Sequence, residues 1–198
     1  MKFSLVFFEN FIIIKSMIAD ENNYAYIDNR NIYLGVRNLG WKLDFAKFRR
    51  YLLEKYSVKK AYMFIGYVEE HKDIYEDFIE QGYECIFKKT ILSNNEIKGN
   101  VDAELVLKCA LDIDIFNKAV IASGDGDFHC LVEHLISQNK LTKIIIPSRF
   151  KYSKVLKSID PSDSLYFDFL NDKQNILEYV SKNKSPDSGR NPSGTFLP

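Results

Sequence analysis

The sequence predicts an α/β fold: a three-layer α/β/α sandwich around a mostly parallel sheet of about five strands. Three observations predict it. Short apolar runs alternate with longer amphipathic segments along most of the chain. Those runs are continuous rather than alternating in polarity, as strands covered on both faces of a parallel sheet are. With 198 residues, 46% of them hydrophobic and 27% charged, there is material for one sizeable core and little more.

Taken in order, YAYID (24–28) is a short apolar strand that ends on an acid. NRNIYLGVRNLGW (29–41) follows as a loop or short helical segment. Asp44 can cap the next helix, FAKFRRYLLEKY (45–56), where Phe45, Phe48, Leu52 and Tyr56 recur at helical spacing. VKKAYMFIGYV (58–68) predicts a second strand. Residues 70–81 predict a polar amphipathic helix with Ile74, Phe78 and Ile79 inward, stopping near Gly82. YECIFKK (83–89) is a third strand, and TILSNNEIKGN (90–100) a polar excursion, read as a small hairpin turning at Asn94 and Asn95. The helix VDAELVLKCALDI (101–113), the strand KAVIAS (118–123), a helix from Asp127 to Gln138 and the strand TKIIIP (142–147) complete the alternation. SLYFDFL (164–170) and NDKQNILEYV (171–180) predict a closing strand and helix.

The domain is therefore expected over 22–180, with residues 1–21 as an N-terminal extension and 181–198 as a disordered tail too poor in apolar residues to form a core. The opening MKFSLVFFENFIIIKSMI has its apolar run broken by Glu9 and Asn10, with no small-residue cleavage site after it. It is also too short and interrupted to span a bilayer. It reads either as an extra segment packing on the domain or, the favoured reading, as the product of a start upstream of the real one at Met17, because patterned structure begins only at Tyr24. No membrane partner and a cytoplasmic location are expected.

Lys+Arg and Asp+Glu both number 27, so net charge identifies no partner. Local charge is more informative. Residues 142–158 carry Lys143, Arg149, Lys151, Lys154 and Lys157 and no acid, and Lys88, Lys89 and Lys98 form a smaller basic group against Glu96. A basic run by itself is more often a solvated face than a binding site. Cys85, Cys109 and Cys130 are odd in number and form no Cys-x-x-Cys pair, and His71, His129 and His134 are scattered. That argues against a disulfide framework and a Cys/His zinc site, leaving buried reduced thiols as the expectation.

The chemistry is expected in IASGDGDFHCLVEHL (121–135). In an open parallel sheet, ligands bind at the carboxyl ends of the strands, near the point where strand order reverses. Asp28 ends the first strand, Asp125 follows the fourth through Ser123-Gly124, Asp127 starts the helix beyond, and Asp102 lies in the first turn of its own helix. In the order 3-2-1-4-5, strands one and four are neighbours, which sets Asp28 and Asp125 side by side with Asp102 and Asp127 above. Carboxylates so close repel unless a cation sits between them. Mg²⁺ or Mn²⁺ is the economical partner, able to activate water and to stabilise charge on a phosphodiester. The helix start at Asp127 adds N–H donors facing an anion. Each acid also has a structural explanation. Asp102 and Asp127 suit helix starts, at roughly 0.5–2 kcal/mol each, and Asp28 suits a turn. What distinguishes them is that all four fall at one predicted edge.

YIDNRNIY (26–33), KGNVDAEL (98–105) and ASGDGDFHCLV (122–132) resemble the three signature segments of NYN-domain proteins, nearest to the bacterial LabA/DUF88 branch of the PIN-like nuclease superfamily. The resemblance spans roughly 22–158. It implies a compact Rossmann-like, PIN-like fold with a divalent-metal-dependent ribonuclease site, in which Asp28, Asp102, Asp125 and Asp127 match the acidic cluster. Asn31 matches an orienting asparagine and Ser123 a small polar residue of such sites. Arg30 departs from the small residue common among relatives. It could hold a phosphate or cross-neutralise the acids. On this resemblance Lys98 and Arg149 would hold the backbone of a single-stranded RNA, and Tyr33, Trp41, Phe150 and Tyr152 are candidate base stackers. PIN-like domains often pair, so a homodimer is compatible with the resemblance.

The function implied is hydrolysis of RNA phosphodiesters. The alternative is a non-catalytic RNA- or protein-binding regulatory module of the same fold. A phosphatase of the haloacid-dehalogenase type is disfavoured, because it needs Asp-x-Asp after strand one where this chain has Asp28-Asn29-Arg30.

Overall fold

Ile27 and Ala122 lie side by side at the centre of a parallel sheet, and the rest of the fold is arranged around that pairing. The computed structural model describes residues 21–89, 91–93, 96–98 and 101–181. Its strands are β1 (Asn23–Asp28), β2 (Val58–Tyr67), β3 (Glu84–Lys89), β4 (Ile91–Ser93), β5 (Glu96–Lys98), β6 (Ala119–Ala122), β7 (Leu141–Ile146) and β8 (Phe167–Phe169). Six of them form one sheet in the order β3-β2-β1-β6-β7-β8, every neighbouring pair parallel. The strand order reverses between β1 and β6, as expected, and β8 adds a sixth strand. β4 and β5 pair separately as an antiparallel hairpin; its expected turn at Asn94 and Asn95 lies outside the described residues, as do residues 1–20 and 182–198.

Helices cover both faces. α1 (Asn29–Arg37), α2 (Phe45–Tyr56), α3 (Lys72–Glu80) and the short α7 (Gln174–Leu177) pack Ile32, Val36, Phe48, Leu52, Phe78 and Leu177 against Ala25, Ile27, Met63 and Val120. α4 (Asp102–Leu111), α5 (His129–Ser137) and α6 (Lys154–Lys157) pack Leu105, Cys109, Leu131, Leu135 and Leu156 against Tyr26, Phe64 and Ile121. Successive residues of β1 thus serve opposite layers, the side-chain period of a strand buried on both faces.

Local chemistry sets the boundaries. Asp44 Oδ1 accepts the N–H of Lys47 at 3.0 Å and caps α2, as its sequence position predicts. Gly82, at φ +89°, takes the left-handed conformation just past α3. Of the two readings of residues 29–41, the helical one holds: residues 29–37 form a regular helix capped by Asp28. Two expectations are corrected. In α3, Ile79 is 55% exposed and Tyr75 takes the buried position beside Phe78. Cys109 is buried, but Cys130 is exposed on α5.

β8 is three residues long and is held by more than its ladder. The buried carboxylate of Asp168 accepts the hydroxyls of Tyr51 and, at 2.5 Å, Tyr56, both on α2. Lys55 and Lys173 lie 3.2 and 3.0 Å from it. Burial pulls this carboxyl upward, but the tyrosine and Lys173 hydrogen bonds outweigh it and hold the pKa below the usual range.

Candidate active site

Asp28 ends β1 and caps α1, its Oδ1 accepting the N–H of Asn31 at 3.1 Å. Because β6 runs beside β1, Ser123 emerges next to it and donates its hydroxyl to Asp28 Oδ2 at 3.2 Å. Asp28 is only 6% exposed. Burial pushes its carboxyl up to about 6, the nearby carboxylates of Asp102 and Asp125 add to the rise, and the bonds from Asn31 and Ser123 oppose it.

The turn after β6 is a chain of short-range hydrogen bonds. The N–H of Gly124 donates to Asn31 Oδ1 at 2.9 Å, the N–H of Asp125 to Ser123 Oγ at 3.2 Å, and the N–H of Asp127 to Asp125 Oδ1 at 3.1 Å. Asp125, not Asp127, is therefore the capping acid, and it opens a 3₁₀ turn over Gly126–Phe128 that leads into α5. On the facing helix, Asp102 is the first residue of α4, and the cap position before it is Val101. Asp102 and Asp127 are thus first-turn acids and not caps.

Carboxylate oxygens of Asp102, Asp125 and Asp127 lie within 4.8 Å of one another. Asp102 and Asp125 are half-buried and Asp127 is exposed, so the cluster opens to solvent. Asp28 lies beneath it, outside that trio but close enough for the charges of Asp102 and Asp125 to act on it. Three oxygen donors at this separation suit a hard divalent cation that keeps several waters.

Glycines let neighbouring segments close on the turn. A Cβ at Gly126 would lie 2.4 Å from Ser153 Oγ, and a Cβ at Gly35 of α1 would lie 2.4 Å from Pro147 Cγ, at the end of β7. The 147–153 loop therefore abuts both the acidic turn and α1. Sequence reasoning missed these contacts; the Gly of Asp-Gly-Asp was the only hint of the first, and nothing signalled the second.

The other expected residues are spread more widely. Asn31 faces the acidic turn through the Gly124 bond. Ser123 is buried between Asp28 and Asp125. Arg30, second residue of α1, is exposed, and it makes no hydrogen bond or ion pair with the described residues. Lys98 ends β5. Arg149 is already committed: it pairs with Asp172 at 2.5 Å and sits 4.7 Å from the centre of the Phe169 ring. Lys88, in the second basic group, pairs with Glu104 of α4. Among the candidate stackers, Trp41 is a core residue, 4% exposed. Tyr152 donates its hydroxyl to Asp163 and packs on Phe167 and Phe169. Tyr33 accepts a hydrogen bond from Arg37. Phe150 stands out in solvent.

A doubly wound parallel sheet with acids gathered at the switch in its strand order defines a Rossmann-like α/β/α domain with a candidate divalent-cation site. Residues 24–162 match the NYN domain model, and the chain belongs to the NYN domain family, within the PIN-like nuclease superfamily. It is similar to the low amplitude and bright protein LabA of Synechococcus elongatus, 23% identical over 173 residues that cover 82% of this chain and 89% of the relative. Its fold is similar to the crystal structure of a protein of unknown function from Vibrio parahaemolyticus, with a TM-score of 0.66 and 20% identity over 81% of this chain and 98% of that one. Among the described residues, no helix is long and apolar enough to cross a membrane.

Proposed function

We propose that the protein is a metal-dependent ribonuclease that hydrolyses RNA phosphodiester bonds in the cytoplasm. The observation that carries this reading is the approach of Asp102, Asp125 and Asp127 to within 4.8 Å in a domain of the NYN family. Those three would hold Mg²⁺ or Mn²⁺, whose role is to lower the pKa of bound water and offset negative charge at the phosphate.

The protein's own groups do the rest. Asp28 supplies negative charge from below and, with Ser123, sets the height of the acidic turn. Asp127, the most exposed acid, is the one able to orient a water or take its proton. Asn31 fixes the turn through Gly124. Arg30, exposed in the first turn of α1, would supply a phosphate contact, with Lys98 contributing from β5. Arg149, engaged by Asp172, acts through the field it adds to this edge rather than as a free clamp.

A second reading, a binding module that no longer cuts, is favoured by one observation: Asp28 and Asp125 already accept hydrogen bonds from the protein itself, Asp28 from Asn31 and Ser123 and Asp125 from Asp127. A fluorescent single-stranded RNA incubated with Mn²⁺, with and without EDTA, separates the two. EDTA-sensitive cleavage that disappears in Asp125→Asn supports the ribonuclease. RNA binding without such cleavage supports the module, and wild-type rates in the variant remove Asp125 from the site.

A further inference from the structure

We propose that Phe150 is a stacking platform for an unpaired base beside the acidic cluster, so that the site selects single-stranded over duplex nucleic acid. The proposal rests on the reading that the cluster engages a nucleic-acid phosphate. The ring is 84% exposed, more than any other large apolar side chain described. A lone exposed apolar residue is ordinary, so exposure alone would carry nothing.

The backbone of the loop that presents the ring is anchored by hydrogen bonds at both ends. The N–H of Phe150 donates to Ser148 Oγ at 3.2 Å, that of Arg149 to Asn171 Oδ1 at 3.1 Å, and that of Asn171 to the Pro147 carbonyl at 3.0 Å. The N–H of Ser153 donates to the Gly124 carbonyl at 3.2 Å, which ties the loop to the acidic turn. A loop backbone anchored in this way needs less ordering when the ring it carries binds a ligand.

Position and charge point to the ligand. Phe150 is three residues from Ser153, which touches Gly126 between Asp125 and Asp127, and three residues span at most about 11 Å. A base adjacent to a phosphate at the acids is within that reach. Lys151 and Lys154 are exposed and have no ion pair among the described residues. Centres of protein interfaces are depleted of charge, whereas aromatic rings among cations are the usual arrangement for single strands. A duplex keeps its bases stacked on one another and offers none to this ring.

The test uses the full-length protein with Mn²⁺ and phosphorothioate-linked RNA, which keeps a cation at the acids while suppressing cleavage. Affinities for a single-stranded RNA containing 2-aminopurine, and for its duplex, are measured for wild type, Phe150→Ala, Phe150→Leu and Phe150→Trp. Phe150→Ala is expected to weaken single-strand binding by about 5- to 140-fold and to abolish 2-aminopurine quenching, with little change for duplex. Phe150→Leu should resemble Ala, and Phe150→Trp should restore both signals. Wild-type affinity in Phe150→Ala, equal losses for single strand and duplex, or rescue by Leu would each overturn the proposal, the last by showing a general apolar contact in place of ring stacking. Absence of single-strand binding by the wild type would overturn it too, while Mn²⁺-dependent cleavage, assayed separately, decides the ribonuclease reading.

Discussion

Asn31 Oδ1 accepts the backbone N–H of Gly124 at 2.9 Å, joining positions 93 residues apart. Asn31 also donates its own N–H to Asp28. One residue therefore sets the spacing between the buried acid at the end of β1 and the turn that presents Asp125 and Asp127. Asn31→Ala removes the acceptor without touching any carboxylate. Stability should fall by only about 1 kcal/mol, since the Gly124 N–H is part-buried, while metal-dependent cleavage falls on the order of 10- to 100-fold from misplacement of the acids. Urea denaturation beside a cleavage assay checks this; equal losses in both would mean a purely structural role.

Asp28 gives a pH prediction. Its folded pKa of about 6 lies above the ordinary 3.8, so the fold favours the neutral form. That contribution is fully present below about pH 4 and is lost as pH rises through about 6. In EDTA at pH 8, Asp28→Asn should therefore be more stable than wild type, by up to on the order of 3 kcal/mol. The gap should close below pH 4, and Mn²⁺ at pH 8 should raise the melting temperature of wild type more than that of the variant. Thermal melts across the pH range read both effects.

Gly35 sets propensity against sterics. Inside a helix, Gly→Ala ordinarily gains about 1 kcal/mol. Here the new Cβ would lie 2.4 and 2.6 Å from ring carbons of Pro147, which cannot rotate aside. The clash should win, with a net loss of about 1–3 kcal/mol and reduced cleavage, because Pro147 begins the loop packed on the acidic turn. A stabilised Gly35→Ala protein would show that α1 shifts freely over the sheet.

Asp168→Ala should cost about 3–5 kcal/mol, because two tyrosine hydroxyls and two lysines lose a shared buried acceptor. The Asp168 carboxyl is held below its ordinary pKa, so its contribution is present at neutral pH and is lost as pH falls through that lowered value. The stability difference between wild type and Asp168→Ala should accordingly shrink in acid, as chemical denaturation at pH 7 and pH 3 would record.

Much of this protein could be read from its residues because strands and helices here are separated by clear changes of period. The apolar run before Ser-Gly-Asp-Gly-Asp had to be a buried strand, and the Asp44 cap lies where the periodicity of α2 begins. Partnerships were not legible. The acid-free run 142–158 reads as one cationic face, yet Arg149 finds Asp172, and Lys157 lies 3.9 Å from Asp163, both acids beyond its end. The aromatic candidates looked alike in sequence, but Trp41 and Tyr152 fill the core layers while Phe150 does not. Depth was equally hidden: nothing in YIDNRN distinguishes an acid under the cluster from one within it.

The buried Asp168 anchor also redraws where the molecule can be cut. The family match stops at residue 162, yet the sheet continues through Phe169 and its clamp reaches back to α2. A version trimmed to the matched segment would leave Ile144, Ile145 and Ile146 as a bare, sticky border, open to pairing with any passing chain. The practical boundary of the folding unit is thus written by a carboxylate outside the recognisable motif.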